Sequence, residues 1–177
     1  AAIVAFTLGA GLELSNSYHI ARDQVFYLTP CYVGSLCCVV AGTGLAALLV
    51  ALLRRLASGY FDGYPPLYFA LLPALVAGHL LLMTQGGALL GLGRHGWYFA
   101  GMALQSLVIV VGMALAVLRW GVTLPGVMVV WLASLVLPAV LQAGVILRSP
   151  TCNSRGLKRL RRVLPFQLGY ALRASAG

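Results

Sequence analysis

The sequence predicts an all-α protein, a polytopic membrane helix bundle, and two observations carry that prediction. Four apolar runs, at residues 31–53, 67–90, 97–118 and 122–147, contain no Lys, Arg, Asp or Glu. A hydrocarbon core about 30 Å thick requires roughly 20 apolar residues in a helix, and each run reaches that length. The composition agrees, because 61% of the residues are hydrophobic and only 8% are charged, whereas about a quarter are charged in soluble domains. We therefore expect four complete spans.

The two ends of the chain are expected to contribute shorter elements. Residues 1–12 and 166–177 are apolar but too short to cross a bilayer, so each predicts a partial span, and the chain is expected to be a fragment. Residues 154–165 combine many cations with leucines at helical spacing, a pattern typical of a basic amphipathic helix that lies on the membrane surface. Pro165 is expected to end this interfacial helix.

The segments between the spans carry most of the positive charge. Twelve Lys and Arg residues stand against three acidic residues. If the spans alternate in direction, eight cations fall on one side of the membrane and three on the other. Because cytoplasmic loops carry an excess of Lys and Arg, we place loops 14–30, 91–96 and 148–165 in the cytoplasm. The charge thus predicts orientation, and we expect no nucleic-acid partner. The cytoplasmic set is Arg22, Arg94, Arg148, Arg155, Lys158, Arg159, Arg161 and Arg162, and the opposite set is Arg54, Arg55 and Arg119.

No motif predicts an enzyme, a cofactor or a metal site. The four cysteines form no C-x-x-C pair, and no His lies at metal-ligand spacing from them. An enzyme that acts on lipid carriers needs an acidic pair that binds a metal, or a His with a nearby acid. The strings D-x-x-D, D-x-D and H-x-x-x-x-D do not occur in the sequence. We therefore expect no catalytic residue, no metal ligand and no cofactor.

Three segments of the chain share a pattern with known membrane proteins. They are residues 11–23, residues 90–94 with the aromatic Tyr98, and the run 157–164 followed by the string 166–174. In this order they resemble the end of the second helix, the turn between the fourth and fifth helices, and the amphipathic linker with the start of the seventh helix in bacterial polysaccharide flippases. These are the O-antigen and lipid-linked oligosaccharide transporters of the MOP (MATE-like) superfamily. The resemblance covers nearly the whole chain.

The resemblance implies a fold and a function. Family members have two related helical bundles that rock around a central cavity, and this chain would hold the first bundle without its first helix. The expected activity is the movement of a lipid-linked oligosaccharide across the bacterial cytoplasmic (inner) membrane by alternating access, with no bond broken. The expected partners are membrane lipids, the oligosaccharide on its polyprenyl diphosphate and other proteins of polysaccharide assembly.

Three arginines are candidates for binding the diphosphate of such a substrate. A guanidinium group holds phosphate through two parallel hydrogen bonds, and Arg22, Arg94 and Arg173 lie at or near helix ends on the predicted cytoplasmic side. The alternative is that they are positive-inside anchors whose side chains reach the interface. For Arg94 we favour the anchor; for Arg22 and Arg173 both interpretations stay open.

Other polar residues inside apolar segments are candidates for coupling or for sugar contacts. Glu13 is an acid beside the apolar stub, so it could couple transport to an ion or a proton, pair with Arg22 or simply be solvated. His79 is a second candidate for proton coupling. Asn16, with His79 and Gln85, could contact sugar hydroxyls, or these side chains could bond neighbouring helices.

Two rival functions remain. Another MOP-type exporter, such as a drug/cation antiporter, would have a cavity poorer in cations and richer in carboxylates. A non-catalytic small membrane assembly subunit is the other, since small residues such as Gly34, Ala41, Gly42 and Gly44 suit helix packing of any kind. The absence of a central cavity lined by Arg22 and Arg173 in the full-length protein would favour this subunit over a flippase.

Overall fold

The computed structural model describes residues 2–61, 63–121 and 123–149, together with residues 163, 165, 167 and 169. Its elements are the helices α1 (Ala2–Arg22), α2 (Gln24–Leu56), α3 (Ser58–Phe61), α4 (Pro66–Gly91), α5 (His95–Trp120) and α6 (Leu124–Leu147). The predicted all-α class is therefore confirmed. Most of the predicted linker 154–165 and partial span 166–177, including Arg173, lies outside the described residues; the four described positions there are helical.

Four helices are long and apolar enough to cross a membrane. They comprise Tyr27–Leu56, Pro66–Gly91, His95–Arg119 and Leu124–Leu147, and each contains or nearly matches one of the four predicted spans. Their outward faces remain apolar and exposed: Leu48 of α2, Val110 of α5 and Val140 of α6 are 64%, 67% and 65% exposed. Leucine and valine side chains in such numbers on the outside of a bundle are suited to lipid contact. The chain is a membrane helix bundle.

The predicted loop 14–30 is wrong, because the structure is helical on both sides of a single break. Helix α1 continues to Arg22, and α2 begins at Gln24, so only Asp23 separates them. The polar residues that suggested a loop, Ser15 and Asn16, are fully buried against neighbouring helices. A polar side chain that bonds across a helix interface does not interrupt its own helix. The predicted partial span 1–12 is thus the first part of a 21-residue helix.

The breaks on either side of α5 are tight turns. Gly93 between α4 and α5 has φ 70°, and Gly121 between α5 and α6 has φ 69°. This left-handed conformation is one that glycine adopts without the steric cost of a Cβ. Pro66 and Pro125 lie in the first turn of α4 and of α6, where a missing N–H costs nothing. Consecutive spans are therefore joined as antiparallel neighbours.

Helix α4 is the centre of the bundle and packs against α1, α2 and α6. Helix α1 runs parallel to α4. Gly9, in the first half of α1, faces Met83 of α4, and Ile20, near the end of α1, faces Gly91 at the end of α4. Helix α6 runs in the same direction, since Gly78 faces Leu135 and the α4–α5 turn contacts the end of α6.

Helices α2 and α5 run the opposite way. Residue Gly42 of α2 faces Leu80 of α4, whereas Ser35, earlier in α2, lies near the later residue Thr84 through Asn16. Along α5 and α6, Gly101 faces Gln142 and Gly112 faces Val130. One end of the bundle therefore carries the cations Arg22, Arg94 and Arg148, and the other carries Arg54, Arg55 and Arg119, the same partition that the charge analysis used.

Helices α1 and α4 approach each other with almost no side chain between them. A methyl group added at Gly87 would lie 2.7 Å from the Cα atom of Glu13, and one at Gly91 would lie 2.7 Å from the Cβ atom of Ile20. The two glycines are one helical turn apart, the spacing that lets membrane helices pack backbone to backbone. This contact sets the position of Glu13 along α4, because the Glu13 backbone lies directly against Gly87.

Candidate functional site

A cavity of about 60 Å³ lies among α1, α4, α5 and α6. Polar side chains reach it from all four helices: Glu13 from α1, His79 from α4, Tyr98 and Gln105 from α5, and Gln142 from α6. Gly86 opens space beside them, and the apolar part of the wall consists of Leu82, Met83 and Met102. The two sequence candidates for ion or proton coupling, Glu13 and His79, therefore lie at one cavity.

Helical periodicity explains why these residues converge. On α4, residues His79, Met83 and Gly86 follow each other at intervals of four and three, and so occupy one face of the helix. On α5, Tyr98, Met102 and Gln105 repeat the same spacing. The isolated glutamines of α5 and α6 were a further sequence signal for this site. A single polar residue inside an apolar run is expected to face the interior of the bundle.

Among the described residues that line this cavity, Glu13 is the only acid, and Tyr98 contacts its carboxylate. The Tyr98 hydroxyl donates a hydrogen bond to the Glu13 carboxylate. A methyl group at Gly86 would lie 3.3 Å from Oε1 of Glu13 and 3.0 Å from the Tyr98 ring, so the missing Cβ makes room for both groups. Within the described helices, α1 and α5 do not otherwise pack against each other. The Glu13–Tyr98 bond is therefore a bridge between them.

Pairing between Glu13 and Arg22 is ruled out by the helix. Nine residues of α1 separate them, a rise of about 13 Å and two and a half turns, which puts the two side chains on opposite faces. Arg22 is exposed at the helix end. The carboxylate is thus partly buried and has no help from Arg22, and a charge without a nearby cation is costly at such a position.

Gln142 of α6 is the most deeply buried of the polar residues at the cavity. Its side chain is 1% exposed, and a methyl group at Gly101 would overlap its amide nitrogen. The amide carbonyl oxygen, Oε1, has no hydrogen-bond partner among the described residues. A buried carbonyl oxygen without a donor is uncommon in a folded protein.

The arginine candidates do not reach this cavity in the described part of the chain. Arg94 is partly buried, and its Nη1 donates a hydrogen bond of 3.3 Å to the carbonyl oxygen of Val145, which ties the α4–α5 turn to the end of α6. Near Arg22, burial and then the charge of Arg22 lower the pKa of His19, which stacks against Tyr27 at the same end of the bundle.

A second polar cluster lies between α1, α2 and α4 and is fully buried. Asn16 Nδ2 donates to Ser35 Oγ at 2.9 Å and to the Thr84 carbonyl oxygen at 3.2 Å. Gln167 Nε2 reaches the same group, at 2.7 Å from Asn16 Oδ1, 3.0 Å from Ser35 Oγ and 2.9 Å from the Cys31 carbonyl oxygen. Asn16 therefore joins α1 to α2 and α4 in this structure.

Gln85 is also engaged inside the bundle. Its Nε2 donates to the Tyr32 hydroxyl at 3.4 Å, a bond between α4 and α2. Gln85 was a candidate for sugar contacts, whereas Ser35, Tyr32 and Gln167 carry no sequence signal that marks them as bonding partners. Such pairs depend on which helix faces meet, which a single sequence does not specify.

Fold and site together define a class of protein: a helical bundle embedded in the membrane, with a carboxylate at a cavity between its helices. Comparison of the chain with models of known protein families, with curated proteins and with solved structures returns no match.

Proposed function

We propose that this chain is a helical bundle of a multi-pass membrane transporter that moves a lipid-linked oligosaccharide across the bacterial cytoplasmic membrane by alternating access. The observation that carries the proposal is Glu13, an acidic side chain at a cavity that four helices line. Ionisable groups inside membrane bundles are expensive, and they mark ion, proton and substrate pathways. The resemblance of residues 11–23, 90–94 and 157–174 to polysaccharide flippases supports the cargo.

The packing of the helices supports a movement that such a transporter needs. Helix α5 packs mainly on α6, whereas α1 packs on α4 and α2. The bond between Glu13 of α1 and Tyr98 of α5 connects these helices across the cavity. A change in the charge of Glu13 alters this bond, and α5, which otherwise packs mainly on α6, is then free to shift relative to α1. In this mechanism Glu13 couples the state of the cavity to the helix arrangement.

The charge at one end of the bundle supports an anionic cargo. Arg22, Arg94 and Arg148 lie at the same end, and Arg22 and Arg148 are exposed. On the positive-inside rule this is the cytoplasmic end. Guanidinium groups there would attract a diphosphate headgroup before it enters the bundle, and Arg173 is proposed to join them.

A second candidate function has its own supporting observation. Among the described residues, the cavity is lined by a carboxylate and by neutral groups, without Lys or Arg. A cavity of this composition suits a cationic substrate better than an anionic one. A MOP-type exporter of drugs or cations is therefore the alternative.

Translocation in proteoliposomes tests the proposal. We expect E13Q, which removes the charge and keeps the shape, to slow the movement of a fluorescent polyprenyl-diphosphate oligosaccharide about tenfold or more, since about 1.4 kcal/mol of lost coupling suffices. The matched control is S106A, because Ser106 is exposed and bonds only within α5.

Translocation by E13Q at the rate of the unmodified protein would contradict this role of Glu13. If the protein exports a cationic dye in a Glu13-dependent manner and does not move the lipid, the second candidate is correct.

A further inference from the structure

The cavity beside Glu13 presents apolar surface to a ligand, although several side chains around it are polar. The surface that is open to the cavity is almost wholly apolar. The polar groups are engaged or covered, because the Tyr98 hydroxyl bonds the Glu13 carboxylate and the Gln142 side chain is 1% exposed. Met83 and Met102 contribute flexible side chains that adapt to irregular apolar shapes. An apolar cavity of this kind excludes water and accepts an apolar guest.

The cavity belongs to a groove that continues along α5. Tyr98, Met102, Gln105 and Ile109 follow each other at intervals of four, three and four residues, and therefore lie on one face of this helix. The first three line the cavity, and Ile109 extends the same face beyond it and is exposed. The rise from Tyr98 to Ile109 is about 16 Å, roughly half of a hydrocarbon core about 30 Å thick. We call this face of α5, with the cavity beside it, the lateral groove.

The lateral groove opens towards the lipid between α1 and α5. Within the part of the chain that the structure describes, these two helices do not pack against each other apart from the Glu13–Tyr98 bond. Leu14, beside Glu13, and Phe99, beside Tyr98, are both exposed. The groove follows the axis of α5, which is one of the spans. It therefore runs in the same direction as the hydrocarbon chains of the surrounding bilayer, over the depth of one leaflet.

Both helices that wall the groove carry an arginine at the same end of the bundle. Helix α1 ends at Arg22, and α5 begins directly after Arg94. One helical turn further into the membrane, each helix carries an exposed aromatic side chain, Tyr18 on α1 and Trp97 on α5. Guanidinium groups bind phosphate, and Tyr and Trp prefer the level of the lipid headgroups. The order of cation, aromatic ring and apolar groove matches the phosphate, glycerol region and acyl chain of a phospholipid.

We infer that the lateral groove binds one acyl chain of an anionic phospholipid, with its phosphate at Arg22 and Arg94. The bound chain fills the space between α1 and α5 and covers the Glu13–Tyr98 bond against water. The inference goes beyond the proposed function and does not depend on it, because it requires only the groove and the bilayer.

Photo-crosslinking in nanodiscs of phosphatidylglycerol tests the inference. A small fraction of the lipid carries a diazirine in the middle of its acyl chain, and mass spectrometry locates the labelled residues. Lipids that merely surround the protein label residues according to exposure, which favours Leu107, at 59%, over Ile109, at 36% on the groove side of α5 and at nearly the same depth. A chain bound in the groove reverses this order. We expect Ile109 and Met102 to be labelled more strongly than Leu107.

Three variants sharpen the test. We expect M102W, which fills the groove, to reduce labelling of Ile109 about tenfold, the effect of losing about 1.4 kcal/mol of binding energy. The matched control is L107W, which puts the same side chain on the opposite face of α5 and should leave this labelling unchanged. We expect R22Q to reduce it about fivefold, since one cation near the surface contributes about 1 kcal/mol of attraction to anionic lipid.

Labelling that follows exposure, with Leu107 ahead of Ile109, would overturn the inference, as would labelling of Ile109 that M102W or R22Q leaves unchanged. If M102W does not fold, the order of Ile109 and Leu107 in the unmodified protein still decides. An added polyprenyl phosphate that displaces the label, where the same amount of unlabelled phosphatidylglycerol does not, would identify a prenyl chain as the occupant and overturn the acyl chain.

Discussion

Replacing Gly87 with alanine is expected to destabilise the bundle by about 3 kcal/mol, in the upper range for overpacked interiors. The added methyl group would overlap the carbonyl oxygen of Glu13 and lie 2.7 Å from its Cα atom. Backbone atoms of a packed helix cannot turn aside as a flexible side chain can. Helix α1 must therefore move away from α4, and the contact of Ile20 with Gly91 is lost with it. Reversible unfolding in mixed micelles measures the change.

The matched control for Gly87 is another glycine inside a membrane-spanning helix. Gly44 lies within α2, and a methyl group there would meet nothing within 4 Å. We expect G44A to leave stability unchanged or to raise it by up to about 1 kcal/mol, since alanine is the better helix former. Equal losses of stability in G87A and G44A would contradict the close packing of α1 on α4.

The second large effect is expected at Asn16, which should lose about 3 kcal/mol of stability when it is replaced by alanine. Its side chain bonds Ser35, the Thr84 carbonyl oxygen and Gln167, and each lost bond between membrane helices is worth about 1 kcal/mol. Ser35 and Gln167 would also lose a partner while remaining buried. The same unfolding measurement applies.

The neighbouring Ser17 serves as the control for Asn16. Its hydroxyl bonds the Leu14 carbonyl oxygen of its own helix, so S17A should change stability by less than about 0.5 kcal/mol. A double-mutant cycle adds a sharper criterion: N16A and Q167A should be non-additive, since the two side chains share one cluster. Additive effects would show that Gln167 does not bond Asn16.

The four spans were predictable because the membrane imposes a simple physical rule. A bilayer admits only helices of sufficient apolar length, so the runs at 67–90 and 122–147 define α4 and α6 almost to the residue. The same reasoning failed at residues 14–30. There, polarity suggested a loop, but Ser15 and Asn16 are buried in a helix interface. Polarity alone does not distinguish a solvated loop from a helix whose polar side chains meet those of another helix.

The candidate site was predictable only in part. Glu13 and His79 were recognisable as unusual residues, since acids and histidines are rare inside spans. Glu13 and His79 share a cavity because α1 runs parallel to α4 and because the close contact at Gly87 sets the position of Glu13 along α4. The contributions of Tyr98 and Gln142 depend on how the α5–α6 pair is rotated. These rotations arise from packing between distant segments, which local sequence patterns do not contain.

Accessibility of the cavity from the two sides of the membrane tests the central claim, a transporter with alternating access, most directly. Gln105 lines the cavity and is only partly buried, so Q105C, with the native cysteines replaced, places a thiol at the site. The account predicts that a membrane-impermeant maleimide labels this thiol from either side, in separate experiments on oriented vesicles. Labelling from one side only, or from neither, would contradict alternating access and favour a static membrane assembly subunit.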